Sequence, residues 1–149
     1  MKKKLLFIIN YFYPDVASTG QLMTELCEEL QNDFDITVIA AFPNYTGKIP
    51  QNYIGKFIVK ESYKNVKVLR VKVPEFDKTK KISRIKYILS YFINSIIAIF
   101  ISGKQDIIFS ISQPPVLGGV LGVIAKFIKR AKLVYNIQDF NPEQIEAVR

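Results

Sequence analysis

A short polar segment made of Ser18, Thr19 and Gly20 carries the first candidate site in this chain of 149 residues. The segment lies between an apolar run at residues 5–10 and a helical pattern. The free backbone N–H groups and the partial positive charge of a helix N-terminus suit a phosphate group, and a glycine lets a ligand approach the backbone. A plain helix cap is the alternative interpretation, because neither the G-x-G-x-x-G motif nor the P-loop motif is present.

A second group of polar residues follows two other apolar runs, at residues 107–112 and 133–138. Its members are Gln113, Gln138, Asp139 and Glu143. Asp139 is the carboxylate placed directly after a predicted buried strand at the ligand-binding edge, where it would hydrogen-bond a substrate hydroxyl or accept its proton. A helix cap or a salt bridge to a lysine is the alternative role for Asp139. Asp106 precedes its strand and is expected at the opposite edge.

The composition excludes several kinds of catalysis. The chain has no histidine and a single cysteine, Cys27. Ser-His-Asp and Cys-His catalysis, histidine-ligated zinc and a thiolate metal cage are therefore excluded, as is a disulfide framework. Apolar residues make up 49% of the sequence, which predicts a folded domain with its own core rather than a disordered chain.

Positive charge is concentrated in one part of the sequence. Residues 56–86 hold eleven Lys and Arg against three acids, whereas the other 118 residues sum to zero. The last cations of this block, which run into an apolar segment at residues 88–97, are Lys78, Lys80, Lys81, Arg84 and Lys86. This order is typical of an interfacial helix attracted to an anionic membrane surface. A core helix with a solvated lead-in is the alternative, and without a nucleic-acid motif no nucleic acid is expected as a partner.

Strand and helix patterns alternate along the chain. Near-continuous apolar runs at residues 5–10, 36–42, 107–112 and 133–138 predict parallel strands covered on both faces. Residues 57–73 read as a hairpin at the sheet edge, with its turn near Lys64. The expected fold class is α/β, with a Rossmann-like, doubly wound and mainly parallel sheet in a single domain at residues 1–149.

Three helices are predicted between the strands. The first begins at Ser18, with Leu22, Leu26 and Leu30 on its apolar face and Met23 and Cys27 on the adjoining stripe. The others cover residues 81–102 and 115–130. Gly118, Gly119 and Gly122 form a small-residue face on the last of these, which favours close packing on the sheet over a membrane-dimer role.

No segment is expected to cross a membrane. The apolar stretches at residues 88–101 and 114–128 are shorter than the roughly 18–20 residues that a spanning helix needs. The lysines at positions 2–4 precede only five apolar residues and no cleavage site, which predicts a buried strand rather than a signal peptide. Any membrane contact is therefore expected to be peripheral.

Four segments together resemble a known family. They are NYFYPDVASTGQLMTELCEEL, FDITVIAAFPNYTGKIP, ISQPP and LVYNIQDFNPE. In this order they resemble the N-terminal domain of family-4-type GT-B glycosyltransferases. Among these, the chain looks most like bacterial surface-polysaccharide transferases of the L-fucosaminyltransferase and colanic-acid type. The resemblance covers essentially the whole chain.

The resemblance implies a function and a role for each candidate residue. It implies metal-independent, retaining sugar transfer from a nucleotide-sugar, with a UDP-sugar expected, to a lipid-linked saccharide, and no resident cofactor. Ser18, Thr19 and Gly20 would line the donor diphosphate side. The acceptor and sugar side would comprise Tyr13, Gln113, Gln138 and Glu143. Asp139 would orient the acceptor hydroxyl or take its proton.

The family has a second, C-terminal domain that holds most of the nucleotide-sugar. Residues 1–149 are therefore expected to be the acceptor-binding half, inactive alone and located in the cytoplasm at the inner face of the cell membrane. The alternative is a non-catalytic Rossmann-like module that binds a membrane surface or a partner subunit. A dehydrogenase-like protein is disfavoured by the missing glycine motif.

Overall fold

The computed structural model describes residues 1–15, 18–44, 46–77, 79–113 and 116–137, and of Ser18 the backbone alone. These residues form one six-stranded sheet with the order β3-β4-β2-β1-β5-β6. The strands are Lys3–Ile8 (β1), Phe34–Ala41 (β2), Ile58–Tyr63 (β3), Val66–Val71 (β4), Ile107–Ile111 (β5) and Lys132–Asn136 (β6). The helices are Ser18–Leu30 (α1), Lys81–Ile101 (α2) and Leu117–Lys129 (α3), with a single 3-10 turn at Gln51–Tyr53.

The sheet is mixed and mostly parallel. All neighbouring strands pair in parallel except β3, which pairs antiparallel with β4 at one edge. The four strands expected to be parallel do pair in parallel. The expected cover on both faces was wrong for β6, because this strand ends the sheet and leaves Val134 and Tyr135 exposed. The fold is α/β and compatible with a Rossmann-like architecture.

The predicted edge hairpin is also confirmed. Strands β3 and β4 pair from Ile58 opposite Val71 to Tyr63 opposite Val66. Between them lies a two-residue turn in which Lys64 has a φ of 54°. This positive φ matches the right-handed twist of the two strands, so the hairpin closes without a longer loop.

Two separate groups of core residues lie on opposite faces of the sheet. Phe7 belongs to a group that includes Met23 and Cys27 of α1. Ile8, the next residue of β1, belongs to a group that includes residues of α2 and α3. Because successive strand residues point to opposite faces, α1 covers one face while α2 and α3 cover the other.

Helix α1 begins at Ser18, as predicted, but its buried face differs from the expected one. Met23 and Cys27 are buried in the core, whereas Leu22 is 51% exposed. Leu26 and Leu30 pack only at the margin of this core. The prediction that Leu22 faces the sheet was wrong. It followed the repeat of leucines at every fourth residue, whereas the sheet contacts the adjoining stripe, which contains Met23 and Cys27.

Helix α2 is 21 residues long and apolar enough to cross a membrane by length and composition. The prediction counted only the uncharged stretch and therefore expected a shorter apolar segment. Within the described residues it is the one helix that meets both criteria, and about a third of its most apolar stretch is buried. Tyr91, Ser95 and Ala98 of α2 are fully buried against the sheet, as in a core helix of a globular domain.

Helix α3 packs closely on the sheet through its glycines, as predicted. A Cβ atom at Gly118 would lie 1.9 Å from the carbonyl oxygen of Ile111. A Cβ atom at Gly122 would lie 2.3 Å from Oγ of Ser110. The backbone of α3 therefore approaches β5 more closely than any larger residue would permit.

Candidate functional site

The strand order places a crevice between β1 and β5. The next three strands of the sequence, β2 to β4, lie on one side of β1. Strands β5 and β6 lie on its other side. In open parallel sheets, ligands bind beyond the carboxyl ends of the strands where the order reverses in this way. Asn10 and Tyr11 follow β1, and Ser112 and Gln113 follow β5. These four residues therefore stand at the edge where a ligand is expected.

One hydrogen bond joins two of the predicted site residues across this crevice. Nε2 of Gln113 donates to Oγ1 of Thr19, 3.1 Å away. The first turn of α1 and the end of β5 thus lie on the same rim. The end of β6 also reaches this rim, since the backbone N–H of Ser112 donates to the carbonyl oxygen of Asn136 over 3.1 Å.

Gly20 fits tightly against the loop that precedes it. A Cβ atom at this position would lie 3.0 Å from Cβ of Tyr11 and 3.1 Å from the Tyr11 carbonyl oxygen. The residue is buried. This contact gives Gly20 a packing reason to be a glycine, in addition to the ligand approach that its position predicts.

A pocket of about 290 Å³ opens beside the crevice. Its lining consists of Asn10, Tyr11, Phe76, Arg84, Tyr87, Ile88 and Gln113. The size is at the lower limit for small-molecule sites, and the mixture of apolar walls with a few polar groups is typical of them. The pocket therefore brings Gln113 and Arg84 together, although the sequence placed Arg84 with the membrane-facing cations.

A buried hydrogen bond organises the floor of this pocket. The hydroxyl of Tyr87 donates to Oδ1 of Asn10 over 2.7 Å. Burial raises the pKa of Tyr87 well above its ordinary value, so the phenol stays protonated and acts as the donor. Oε1 of Gln113 is also buried and makes no hydrogen bond within the described part of the chain. The pocket thus offers amide and hydroxyl groups of the kind that recognise sugar hydroxyls.

Tyr13 lies away from this pocket. Its ring packs against that of Tyr63, with centroids 4.6 Å apart, and its backbone N–H donates to Oγ1 of Thr24 over 3.2 Å. The structure therefore does not bring Tyr13 together with Gln113, although both were assigned to the acceptor side.

The β1–α1 loop that contains Tyr13 is held by a buried arginine. The side chain of Arg70 in β4 is 1% exposed and donates through Nη2 to the carbonyl oxygen of Tyr13. Its Nη1 donates to the carbonyl oxygen of Ala41 over 3.0 Å, and its Nε pairs with Oε1 of Glu61 over 2.7 Å. Arg70 thus links the loop after β1 to three neighbouring strands.

Several predicted residues lie outside what the structure describes. They are Lys78, Gln138, Asp139 and Glu143, and of Ser18 no side chain is described. Of the other predicted surface cations, Lys80, Lys81 and Lys86 are exposed around the start of α2. Asp106 lies at the opposite edge, as expected, where its Oδ2 accepts a hydrogen bond from the backbone N–H of Lys4 over 2.8 Å.

A second pocket, of about 330 Å³, lies at the edge where the parallel strands begin, and Lys4, Asp35 and Gln105 contribute to its lining. It is remote from the carboxyl ends of the strands, so the pocket beside Gln113 is the better candidate. Among the described residues, no three acidic, histidine or cysteine side chains are grouped as metal ligands would be.

Asn10, Tyr87 and Arg70 are site residues that the sequence interpretation missed. Asn10 had a usable signal, since it is a polar residue directly after a buried strand. Tyr87 is indistinguishable in sequence from the core aromatics of α2. Arg70 gave no signal, because a single cation in an edge hairpin usually faces water.

Comparison with known proteins does not assign a family. No protein-family model matches the chain, and no curated protein matches it.

Proposed function

We propose that this chain is the acceptor-binding, N-terminal half of a GT-B glycosyltransferase, with a doubly wound Rossmann-like fold. The reaction is retaining and metal-independent transfer of a sugar from a nucleotide-sugar, a UDP-sugar, to a lipid-linked saccharide in surface-polysaccharide synthesis. One observation carries the proposal. It is the pocket at the β1–β5 crevice, whose rim is joined to the start of α1 by the Gln113–Thr19 hydrogen bond.

The pocket chemistry suits a saccharide acceptor. Asn10, Tyr87 and Gln113 supply neutral hydrogen-bonding groups, and Phe76 and Ile88 supply apolar walls. Arg84 adds a positive charge at the same pocket, which would favour a phosphate next to the sugar. None of the described lining residues is a carboxylate, so the group that takes the proton of the acceptor hydroxyl has to come from outside this lining.

The donor would bind on the other side of the rim. Thr19 and Gly20 lie in the first turn of α1, where free backbone N–H groups and the helix dipole stabilise a developing diphosphate charge. Most of the nucleotide-sugar would be held by a second domain. Asp139 remains the proposed orienting residue or base, and full activity of Asp139→Asn in the complete enzyme would remove it from the mechanism.

The first experiment is a binding titration on the 149-residue chain, followed by backbone amide NMR signals. A water-soluble saccharide diphosphate with a short prenyl chain is expected to shift the amides of Asn10, Tyr11 and Gln113. Arg84→Gln should weaken this binding. Lys81→Gln is the matched control, because it removes one charge from the same helix turn without touching the pocket.

A contrary result is equally clear. Shifts at these amides with a nicotinamide dinucleotide but not with the saccharide diphosphate would favour a dehydrogenase-like protein. In a second experiment, transfer from a UDP-sugar to a lipid-linked saccharide is measured with and without a donor-binding domain. Robust transfer by residues 1–149 alone would overturn the assignment as an acceptor-binding half.

A further inference from the structure

Helix α2 carries a row of large apolar side chains on the side turned away from the sheet. The row repeats every three or four residues and consists of Ile82, Ile85, Leu89, Ile93, Ile97 and Phe100, all exposed. Tyr87, Tyr91 and Ser95 are buried on the opposite side of the helix. At 1.5 Å per residue, the exposed row is about 27 Å long. Helix α2 is therefore apolar on two sides, and the described residues cover one of them.

Helix α3 adds a second row beside the first. Val120, Val123 and Phe127 are exposed at helical spacing, and Val116 extends their row by one turn. Leu121 and Ala125 are buried on the other side of α3, in the same core group as the buried residues of α2. Since the two helices contact each other on one face of the sheet, their exposed rows lie on the same side of the molecule. We call this surface, made of the two rows, the α2–α3 face.

Cations outnumber acids around the α2–α3 face, although Glu75 and Asp77 line a cavity with Lys80, Ile82 and Lys86 at the start of α2. Residues 78–137 contain ten Lys and Arg, and Asp106 is their one acid. Lys80, Lys81 and Lys86 lie around the start of α2, and Lys126 and Lys129 lie in the last turn of α3. Because both helices run from the carboxyl edge of the sheet to its other edge, cations stand at both ends of the apolar rows.

The opposite face of the sheet has the reverse character. Helix α1 carries Glu25, Glu28 and Glu29 and has no basic residue. The molecule therefore has an apolar face with a cationic border on one side and an acidic helix on the other. This difference in charge turns the α2–α3 face, and not α1, towards a negatively charged surface.

We infer that the α2–α3 face lies on an anionic lipid bilayer, with its apolar rows inserted among the acyl chains and its cations at the phosphate level. An apolar helix face with cations at its border is the pattern of interfacial helices. A second copy of this chain fits poorly, because two such faces would bring two strongly cationic surfaces together. A spanning role for α2 fits poorly too, because Tyr91 and Ser95 would have to leave the core of the sheet.

This inference goes beyond the proposed function and does not depend on it. It fixes which way the molecule stands: α1 faces away from the lipid, and the pocket lined by Arg84 lies at the end of α2 nearest to Lys80 and Lys81. A ligand with a lipid tail would then reach the pocket from the membrane surface. Vesicle binding can succeed or fail whatever the outcome of a transfer assay, so the two proposals are tested separately.

The test uses the absence of tryptophan from the chain. Leu89→Trp places a single fluorophore on the α2–α3 face, and Leu22→Trp places one on α1 at a position of nearly equal exposure, 51% against 52%. Vesicles contain phosphatidylcholine with roughly a third phosphatidylglycerol, and brominated acyl chains serve as quenchers. We expect a blue shift and quenching for Leu89→Trp, and neither for Leu22→Trp.

Affinity measurements with vesicles separate the apolar contribution from the charge contribution. Leu89→Asn should weaken binding by about tenfold, the loss expected when one leucine no longer enters the apolar phase, whereas Leu22→Asn should leave it unchanged. The triple variant Lys80→Gln, Lys81→Gln, Lys86→Gln should also bind weakly. Its control is Lys56→Gln, Lys60→Gln, Lys67→Gln, which has the same net charge but is altered around the β3–β4 hairpin.

Three results would overturn the inference. The first is an absence of vesicle binding at low salt by the unaltered chain. The second is equal quenching or equal loss of affinity for the paired variants at positions 89 and 22. The third is a dimer in sedimentation that Leu89→Asn dissociates, without vesicle binding, because it would assign the face to a second copy. Circular dichroism on every variant shows that a lost signal reflects binding and not unfolding.

Discussion

The guanidinium of Arg70 donates a hydrogen bond to the main-chain carbonyl of Tyr13, 57 positions earlier in the sequence. Arg70 lies in β4, and Tyr13 lies in the loop between β1 and α1. The same guanidinium also binds the Ala41 carbonyl and the Glu61 carboxylate. One buried side chain therefore positions the loop that leads into the candidate site.

Loss of this side chain should destabilise the fold. In Arg70→Leu, two carbonyl oxygens and Oε1 of Glu61 lose the arginine as a donor, and Glu61 keeps only the hydroxyl of Tyr53 among the described partners. The free energy of unfolding is therefore expected to fall by about 3 kcal/mol. Lys60→Met, an exposed change on neighbouring β3, should alter it by less than about 0.5 kcal/mol. Urea denaturation measures both. Equal effects of the two changes would contradict the anchoring role of Arg70.

The link between Thr19 and Gln113 should appear as an energetic coupling. A double-mutant cycle with Thr19→Val and Gln113→Ala is expected to give a coupling of about 1 kcal/mol in the free energy of unfolding, the usual contribution of one hydrogen bond. A cycle that pairs Thr19→Val with Gln51→Ala, an exposed change in the 3-10 turn, should be additive. If the Thr19–Gln113 cycle is additive as well, the two sides of the rim are not joined in solution.

The glycines of α3 provide a graded test of packing. Gly118→Ala forces a methyl group against the Ile111 backbone and is expected to destabilise the fold by about 2 kcal/mol or more. Gly119→Ala has the same gain in helix propensity, about 1 kcal/mol, but meets the ring of Tyr135, which is partly exposed and can move. Its net effect should lie within about 1 kcal/mol of zero. Thermal unfolding of the two variants measures this difference, and equal stabilities would contradict the close packing of α3 on β5.

Cys27 should make the fold sensitive to alkaline pH. Burial, with a smaller contribution from Glu28, raises the pKa of its thiol from 9.0 to about 12. A raised pKa means that the folded state keeps its proton when the unfolded state has lost it, so this stability is fully present below pH 9 and is lost between pH 9 and 12. Within that window the free energy of unfolding should fall by up to about 1.4 kcal/mol per pH unit more in the unaltered chain than in Cys27→Ala.

A thiol reagent checks the same residue independently. At pH 8 the native chain should react with a disulfide reagent far more slowly than the urea-unfolded chain, because the thiolate is the reactive form and Cys27 is fully buried. Comparable rates in the two states would show that the thiol is accessible in the folded protein.

The sequence predicted most of the secondary structure because local signals agreed with each other. Apolar runs marked the parallel strands, and the polar turn near Lys64 marked the hairpin. The leucine repeat in α1 was misleading, since Leu22 and Cys27 lie on neighbouring stripes and only contact with the sheet decides which stripe is buried. The neighbours of each strand were not predictable, because strand order depends on contacts between segments far apart in the sequence.

The candidate site was predictable in position but not in composition. Gln113 and Thr19 each flank a predicted element, so their placement on one rim followed from the parallel arrangement of strands. The pocket itself depends on Tyr87 and Arg84 of α2, a helix that follows the β3–β4 hairpin in the sequence. Their distance from Asn10 could not be inferred until the path of α2 over the sheet was known.

The antiparallel hairpin at the outer edge has a consequence for how the protein behaves at high concentration. Strand β3 ends the sheet, and the side chains of Lys60 and Ser62 project there into water. A strand from another molecule could pair with β3 only by placing its own side chains beside the charge of Lys60 and by following the twist of the hairpin. The β3 border of the sheet therefore opposes strand addition from a second molecule.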